Sequence, residues 1–207
     1  MALTRESMPG IAAAPQPPVV HTGRWVLSAV AIVMLGWSSA ATGAMVPLLA
    51  GVDLGIHEFG HLVMGWAPWI IGVFAGSFFQ VAAPLGLSAY FGFARREVWA
   101  AGPLMAWAGV SLRNVAVYIA DAPYQRLELW GGDNVVHDWA QLLAGKPMQH
   151  AEQIAWCANS LGWGLVAGGL ALVAWAAFGE RRAATRFVEL EARKDSLPVR
   201  EPRNPLG

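Results

Sequence analysis

Residues 26–50 read VLSAVAIVMLGWSSAATGAMVPLLA and contain no charged side chain. Residues 62–94 are a second uncharged stretch, which is 33 residues long and contains Pro68 and Pro84. Apolar segments follow at residues 98–120 and 153–179. Because about 20 apolar residues suffice for a helix to cross a bilayer, we predict an all-α polytopic membrane helix bundle. We expect about five transmembrane helices, within a range of four to six.

Charged side chains are distributed very unevenly along the 207 residues. Residues 180–207 hold 12 of the 28 charges, and residues 25–179 hold only 13. Soluble domains average about 25% charged residues, so this composition argues against a soluble globule. The absence of a basic face argues against a nucleic-acid-binding protein. A disulfide scaffold is also excluded, because Cys157 is the single cysteine.

The same distribution divides the chain into three segments. Residues 1–23 are rich in proline and predict a flexible N-terminal arm. Residues 24–179 predict a membrane domain that contains a metal site. Residues 180–207 predict a cytoplasmic tail, because basic residues next to a span stay on the cytoplasmic side. A cleaved signal peptide that ends near Ala40 is a competing interpretation of the first apolar stretch.

One polar cluster interrupts the apolar sequence: His57, Glu58 and His61 form the pattern H-E-x-x-H. On a helix, residues four apart lie on one face, so both imidazoles can reach one metal ion. Glu58 can then take a proton from a water that zinc has made more acidic. Ionisable groups in a membrane helix are costly and usually functional. The pattern therefore predicts a zinc site with His57 and His61 as ligands and Glu58 as the catalytic base.

A catalytic zinc site needs a third protein ligand and an open coordination position. The candidates lie in residues 129–139, which read LWGGDNVVHDW. Asp138 is the preferred third ligand, His137 is the alternative and Asp133 is less favoured. Asp138 could instead cap the short amphipathic helix that the sequence predicts over residues 138–144. If His137 is the ligand, Asp138 could orient a neighbouring group.

Two other polar side chains could support the site. Asp53 lies four residues before His57 and could accept a hydrogen bond from it, although a helix N-cap is the favoured interpretation of this residue. Asn114 lies inside the segment 98–120 and could contact a substrate or a developing oxyanion. An interhelical hydrogen bond explains Asn114 equally well.

Arg113, next to Asn114, is a basic residue inside an apolar segment. Glu97, Asp121 and a lipid phosphate are its candidate partners. The sequence alone does not choose among them.

The segment His57-Glu58-Phe59-Gly60-His61, followed 77 residues later by Asp138, resembles the site-2 protease type of intramembrane zinc metallopeptidase. It is more similar to poorly characterised bacterial membrane proteins of that class, which share the H-E-x-G-H helix and an H-D-W segment like residues 137–139. The resemblance spans residues 51–143. It implies that His57, His61 and Asp138 bind zinc, that Glu58 is the general base and that the protein lies in the bacterial cytoplasmic (inner) membrane. The chain departs from the family pattern because Trp139, rather than glycine, follows Asp138 and no Asn-Pro element precedes it.

The expected function is therefore zinc-dependent intramembrane proteolysis, in which a metalloprotease hydrolyses peptide bonds in or near the bilayer. The expected cofactor is Zn²⁺, and the expected partners are a membrane-embedded protein or peptide substrate and the lipid bilayer, with no nucleic acid. The alternative is a non-proteolytic metal-binding membrane protein, either a metal carrier or a metal-stabilised assembly factor. That protein would use His57, His61 and His137 as ligands. Glu58 discriminates the two hypotheses, because hydrolysis needs a base and metal binding does not.

Overall fold

The computed structural model describes residues 16–129 and 135–196, and this part of the chain is all-α without a β-strand. The predicted all-α fold class is thereby confirmed. A π-helical segment, Tyr90–Ala94, continues the third helix. The α-helices are α1 (Thr22–Ala41), α2 (Pro47–Met64), α3 (Trp69–Ala89), α4 (Val98–Asp121), α5 (Asp138–Leu142) and α6 (Met148–Asp195).

Three of the described helices are long and apolar enough to cross a membrane, fewer than the five predicted from the sequence. They are α1, α3 with its π-helical extension, and α6. Helices α2 and α4 fall short because polar residues lower their mean hydropathy. In α2 these are the H-E-x-x-H residues and Asp53, and in α4 they include Arg113 and Asn114. The three apolar helices indicate a membrane protein.

The uncharged stretch of residues 26–50 is not one helix, contrary to the sequence-based prediction. Helix α1 ends at Ala41, and the backbone turns at Gly43 and Ala44, whose φ angles are 63° and 73°. Left-handed residues of this kind commonly end a helix. Helix α2 then begins with Pro47, whose ring suits the first helical position because no hydrogen bond is lost there. Because of this turn, α2, which carries the H-E-x-x-H motif, begins six residues before Asp53.

Residues 21–177 form one compact unit. Within it α4 packs against α1, α3 and α5, while α2 packs against α3. Small residues also bring α4 against α6: a Cβ on Gly109 would lie 2.6 Å from the carbonyl oxygen of Gly162, and a Cβ on Gly169 would lie 2.6 Å from that of Gly102. Such contacts let helix backbones approach closely. Helix α4 is therefore the element on which most of this unit is assembled.

The second unit comprises residues 1–20 and 178–207. Its described residues are 16–20 and 178–196, so most of the predicted arm and the end of the predicted tail lie outside the described residues. The described part of the tail is helical and charged. Lys194 pairs there with Glu191 at 2.6 Å, and Arg182 lies over the ring of Phe178.

Candidate metal centre

The two motif histidines lie on the face of α2 that packs against α3. A glycine on this face, Gly60, allows the close approach, since a Cβ there would lie only 2.5 Å from the carbonyl oxygen of Ala75. His57 is buried, and His61 is about one-quarter exposed in its side chain. The helical spacing and the tight α2–α3 contact thus place both imidazoles side by side, with ring centroids 4.8 Å apart.

Both imidazoles point their Nε2 atoms at one carboxylate oxygen. The Nε2 atom of His57 lies 2.9 Å from Oδ2 of Asp138, and the Nε2 atom of His61 lies 3.2 Å from the same oxygen. The potential ligand atoms of these three residues all lie within 4.8 Å of one another. The group His57, His61 and Asp138 could therefore hold a metal ion, as the sequence predicted for this ligand set.

The other nitrogen of each ring fixes its tautomer. Nδ1 of His61 lies 2.9 Å from the carbonyl oxygen of Gly72, and Nδ1 of His57 lies 3.2 Å from Oε1 of Gln80. The amide group of Gln80 in turn donates to Oδ1 of Asn114 at 3.0 Å, which keeps Oε1 facing His57. Each Nδ1 therefore donates a proton to an oxygen. With this tautomer, a neutral ring would direct its Nε2 lone pair toward the Asp138 carboxylate, which is the arrangement that a shared metal ion would require.

Helix α3 approaches both imidazoles closely at Gly76. A Cβ on this residue would lie 2.5 Å from Nε2 of both histidines. No larger residue fits there without displacing the imidazoles. The absence of a side chain at Gly76 thus preserves the space toward which the nitrogen atoms point.

Asp138 reaches the histidines because its neighbours supply the local hydrogen bonds of α5. His137, and not Asp138, is the N-cap, and its Nδ1 accepts a hydrogen bond from the Ala140 amide at 3.3 Å. The Asp138 amide donates to the Tyr118 hydroxyl at 3.0 Å, and Trp139 Nε1 donates to Ser77 Oγ at 3.0 Å. These bonds fix α5 against α3 and α4. The carboxylate of Asp138 is consequently not used as a cap.

His137 lies apart from the three converging side chains. Its ring stacks on Tyr118 at a centroid distance of 4.1 Å, and its Nε2 atom lies 3.5 Å from Oδ2 of Asp121. Burial lowers the pKa of His137 below its usual value, which agrees with a neutral ring that accepts at Nδ1. The structure thus places Asp138 beside the two histidines. His137, the alternative ligand, instead caps α5 and stacks on Tyr118. Asp133, the other candidate, lies outside the described residues.

Glu58 is exposed beside the buried His57. Within the described residues, no hydrogen bond or ion pair holds its carboxylate. A general base must be able to reach a water molecule at the metal. Glu58 is adjacent in sequence to a candidate ligand, and its carboxylate is unengaged among the described residues.

The structure corrects both interpretations of Asp53. This residue lies inside α2, which begins at Pro47, so it is not an N-cap. It does not orient His57 either, because Gln80 occupies that position. Instead its buried carboxylate accepts hydrogen bonds from Trp107 Nε1 at 2.8 Å and Ser111 Oγ at 3.0 Å. Asp53 therefore ties α2 to α4.

Asn114 forms an interhelical hydrogen bond, which was one of its two predicted interpretations. It accepts the hydrogen bond from Gln80, which itself contacts His57. Sequence reasoning missed Gln80 and Gly76. Gln80 carried a usable signal, because it is the single amide side chain in the uncharged residues 62–94. Gly76 carried none, since glycines are frequent throughout this chain.

An open apolar depression of about 350 Å³ lies between α3 and the segment that contains α5. The ring of Trp139 forms one wall and contacts Phe74 edge-on at a centroid distance of 6.0 Å. The lining residues are Ile70, Ile71, Phe74, Trp139, Leu142 and Leu143. The depression is thus built from residues near Gly72 on α3, from Trp139 and Leu142 on α5 and from Leu143 after it.

The chain matches no family model, and neither a curated protein nor a solved structure is detectably similar to it.

Proposed function

We propose that this chain is a zinc-dependent intramembrane endopeptidase of the site-2 protease type. His57, His61 and Asp138 would hold the metal, and Glu58 would act as the general base. One observation carries the proposal: two Nε2 atoms and one carboxylate oxygen converge while each Nδ1 is held by an oxygen acceptor. Oriented imidazoles of this kind are typical of metal ligands.

The donor set suits zinc better than it suits Ca²⁺ or Mg²⁺. Zinc accepts imidazole nitrogen and carboxylate oxygen, and catalytic zinc sites use three protein ligands and leave one position open. Ca²⁺ and Mg²⁺ prefer oxygen donors throughout. Zinc bound there would make water more acidic and would polarise a peptide carbonyl group.

The protein's own residues would then perform the proton transfers. Glu58 takes a proton from the attacking water while the water oxygen bonds to the carbonyl carbon. The carbon–nitrogen bond then breaks, and Glu58 returns the proton to the leaving amine nitrogen. The lack of a fixed partner for Glu58 supports this role.

The expected substrate is a membrane-embedded protein or peptide. The open depression between α3 and α5 is apolar and has the volume of a leucine or phenylalanine side chain or more, and such residues are common in transmembrane helices. A helical substrate must unwind locally, because its peptide groups are hydrogen-bonded within the helix. The depression supports binding of such a segment after it has unwound.

We further propose five crossings, in which α2 and α4 accompany the three apolar helices. Asp53, His57 and His61 of α2 face α3, α4 and α5, as ionisable groups within membranes usually do, whereas Glu58 is exposed. The basic residues of the tail favour a cytoplasmic C-terminus. The resemblance in residues 51–143 favours the bacterial cytoplasmic membrane.

Metal analysis tests the ligand set. Detergent-purified wild-type protein is expected to contain one zinc ion per chain by elemental analysis. His57→Ala, His61→Ala and Asp138→Ala should each lose it, whereas the exposed His150→Ala serves as the matched control and should retain it. His137→Asn should also retain zinc, because asparagine can still cap α5. Wild-type protein without bound metal after zinc reconstitution would contradict the proposal.

Hydrolysis tests the role of Glu58. Zinc-loaded protein is incubated with dye-quenched casein in micelles, and cleavage is followed by fluorescence. Glu58→Gln should lower the rate roughly 10²- to 10⁴-fold without loss of zinc, while the exposed Glu152→Gln should cleave like wild type. If wild type binds zinc and neither casein nor membrane peptides are cleaved, the non-proteolytic metal-binding hypothesis replaces this one.

A further inference from the structure

Arg113 occupies a position between three helices of the unit formed by residues 21–177. Its Nε atom donates to Oδ1 of Asn159 on α6 at 3.1 Å, and its Nη1 atom donates to Oγ of Ser39 on α1. The guanidinium lies 4.0 Å above the ring of Trp163. Gly162 admits the side chain, since a Cβ there would lie 2.6 Å from Cγ of Arg113. The fold thus holds this cation in a defined orientation.

All of these partners are neutral. Among the described residues, none of the ion pairs includes Arg113. Of its predicted partners, Glu97 pairs with Arg95 at 3.6 Å, and Asp121 accepts hydrogen bonds from the backbone of the following loop. The Nη2 group of Arg113 makes no hydrogen bond to the described residues. A positive charge in an apolar bundle therefore remains without a counter-charge in this part of the chain.

Two exposed tryptophans lie near the side chains that hold Arg113. Trp37 on α1 is 73% exposed and Trp156 on α6 is 70% exposed. They lie within one helical turn of Ser39 and Asn159, the two residues that hold Arg113. Helix α1 ends two residues after Ser39. Trp37 is therefore close to the end of α1, and exposed tryptophan rings near helix ends are typical of the headgroup region, which is where anionic phosphate groups are found.

We propose that Arg113 binds a phosphate group at the junction of α1, α4 and α6. A guanidinium presents several N–H donors in a plane and matches phosphate oxygens well. The free Nη2 group and the missing counter-charge are the two features that such an anion would satisfy. The phosphate can belong to the headgroup of an anionic phospholipid or to inorganic phosphate. Both sources share this chemistry, and the site is separate from the candidate metal centre.

Lipid binding to the full-length protein in detergent tests the site by native mass spectrometry. Phosphatidylglycerol is compared with diacylglycerol that carries the same acyl chains and lacks the phosphate. Wild type should bind phosphatidylglycerol roughly tenfold or more tightly than diacylglycerol, as expected for a charge-assisted pair. Arg113→Gln should abolish the difference. Arg95→Gln removes an exposed charge on another loop and should preserve it.

Inorganic phosphate distinguishes the two sources. If 10 mM phosphate displaces phosphatidylglycerol about as effectively as free lipid does, the site recognises the phosphate alone. If it does not compete, the site recognises the phosphate of a lipid whose chains lie against the helices. Equal binding of the two lipids by wild type overturns the proposal, and this comparison holds even if Arg113→Gln does not fold. Unchanged selectivity in folded Arg113→Gln overturns it as well.

Discussion

Replacing Gly76 with alanine tests the geometry of the candidate metal centre most directly. The added Cβ would lie 2.5 Å from Nε2 of both His57 and His61, whereas ordinary contacts begin near 3.4 Å. Each nitrogen must therefore retreat by about 0.9 Å if the helix backbone stays in place. Metal–ligand distances tolerate deviations of only about 0.2 Å. Gly76→Ala should consequently damage the metal site far more than the fold.

The expected magnitude follows from the displacement of two ligands together. Disturbing the groups that orient ligands typically weakens metal binding about 10- to 100-fold, and we take the upper figure here. At a zinc concentration 1,000 times the wild-type Kd, bound metal stabilises the fold by about 4.1 kcal/mol. A 100-fold weaker Kd leaves about 1.4 kcal/mol under the same conditions. The zinc-dependent part of stability should therefore fall by about 2.7 kcal/mol.

The assay is thermal unfolding in detergent with zinc and with a chelator. For a chain of this length the expected loss corresponds to a decrease of roughly 5–10 °C in the zinc-dependent rise of Tm. Gly72→Ala is the matched control, because it lies one turn earlier on α3 and its Cβ would meet only the carbonyl oxygen of Met64 at 3.5 Å. Both variants gain the same helix propensity. A Gly76→Ala protein whose zinc response equals that of Gly72→Ala would refute the reasoning.

Three further substitutions test how the neighbouring side chains support the site. Gln80→Leu removes the acceptor for Nδ1 of His57 and should weaken zinc binding about 10- to 100-fold, measured by competition with a chromophoric chelator; wild-type affinity would contradict this role. Tyr118→Phe keeps the ring but leaves the Asp138 amide without its acceptor. The free energy of unfolding should therefore fall by about 1–3 kcal/mol, and an unchanged Tm would argue against this hydrogen bond as a source of stability. Asp53→Asn replaces an acceptor oxygen by a donor and should lower the free energy of unfolding by about 1–3 kcal/mol, while zinc affinity stays unchanged. A variant of wild-type stability with weaker zinc binding would instead indicate that Asp53 acts at the metal site.

The positions of two proposed ligands and of the proposed base follow from local sequence. The four-residue spacing of His57 and His61 places both on one helical face in any α-helix, and Glu58 is adjacent by position. The third ligand is different, because Asp138 and His137 are neighbours in a loop and only their orientation separates their roles. That orientation depends on hydrogen bonds from α5 to Tyr118 and Ser77, which are distant in sequence.

The error at Asp53 has a similar cause. Aspartate is one of the preferred N-cap residues, and the sequence-based prediction gave most weight to that local signal. The helix begins earlier, at Pro47, because the left-handed turn at Gly43 and Ala44 ends α1 before the apolar stretch ends. Once Asp53 lies inside α2, the donors it meets are decided by how α2 packs on α4.

The sequence by itself determined the helical class, the apolar character of the chain and the His57, Glu58 and His61 motif, because composition and helical periodicity are local properties. The tertiary structure alone decided that Asp138 and not His137 joins the histidines, that Gln80 holds His57 and that Gly76 leaves the space open. It also decided that Arg113 has only neutral partners among the described residues. Each of these depends on the approach of helices that are far apart in sequence, and no local pattern encodes which side chains meet across such contacts.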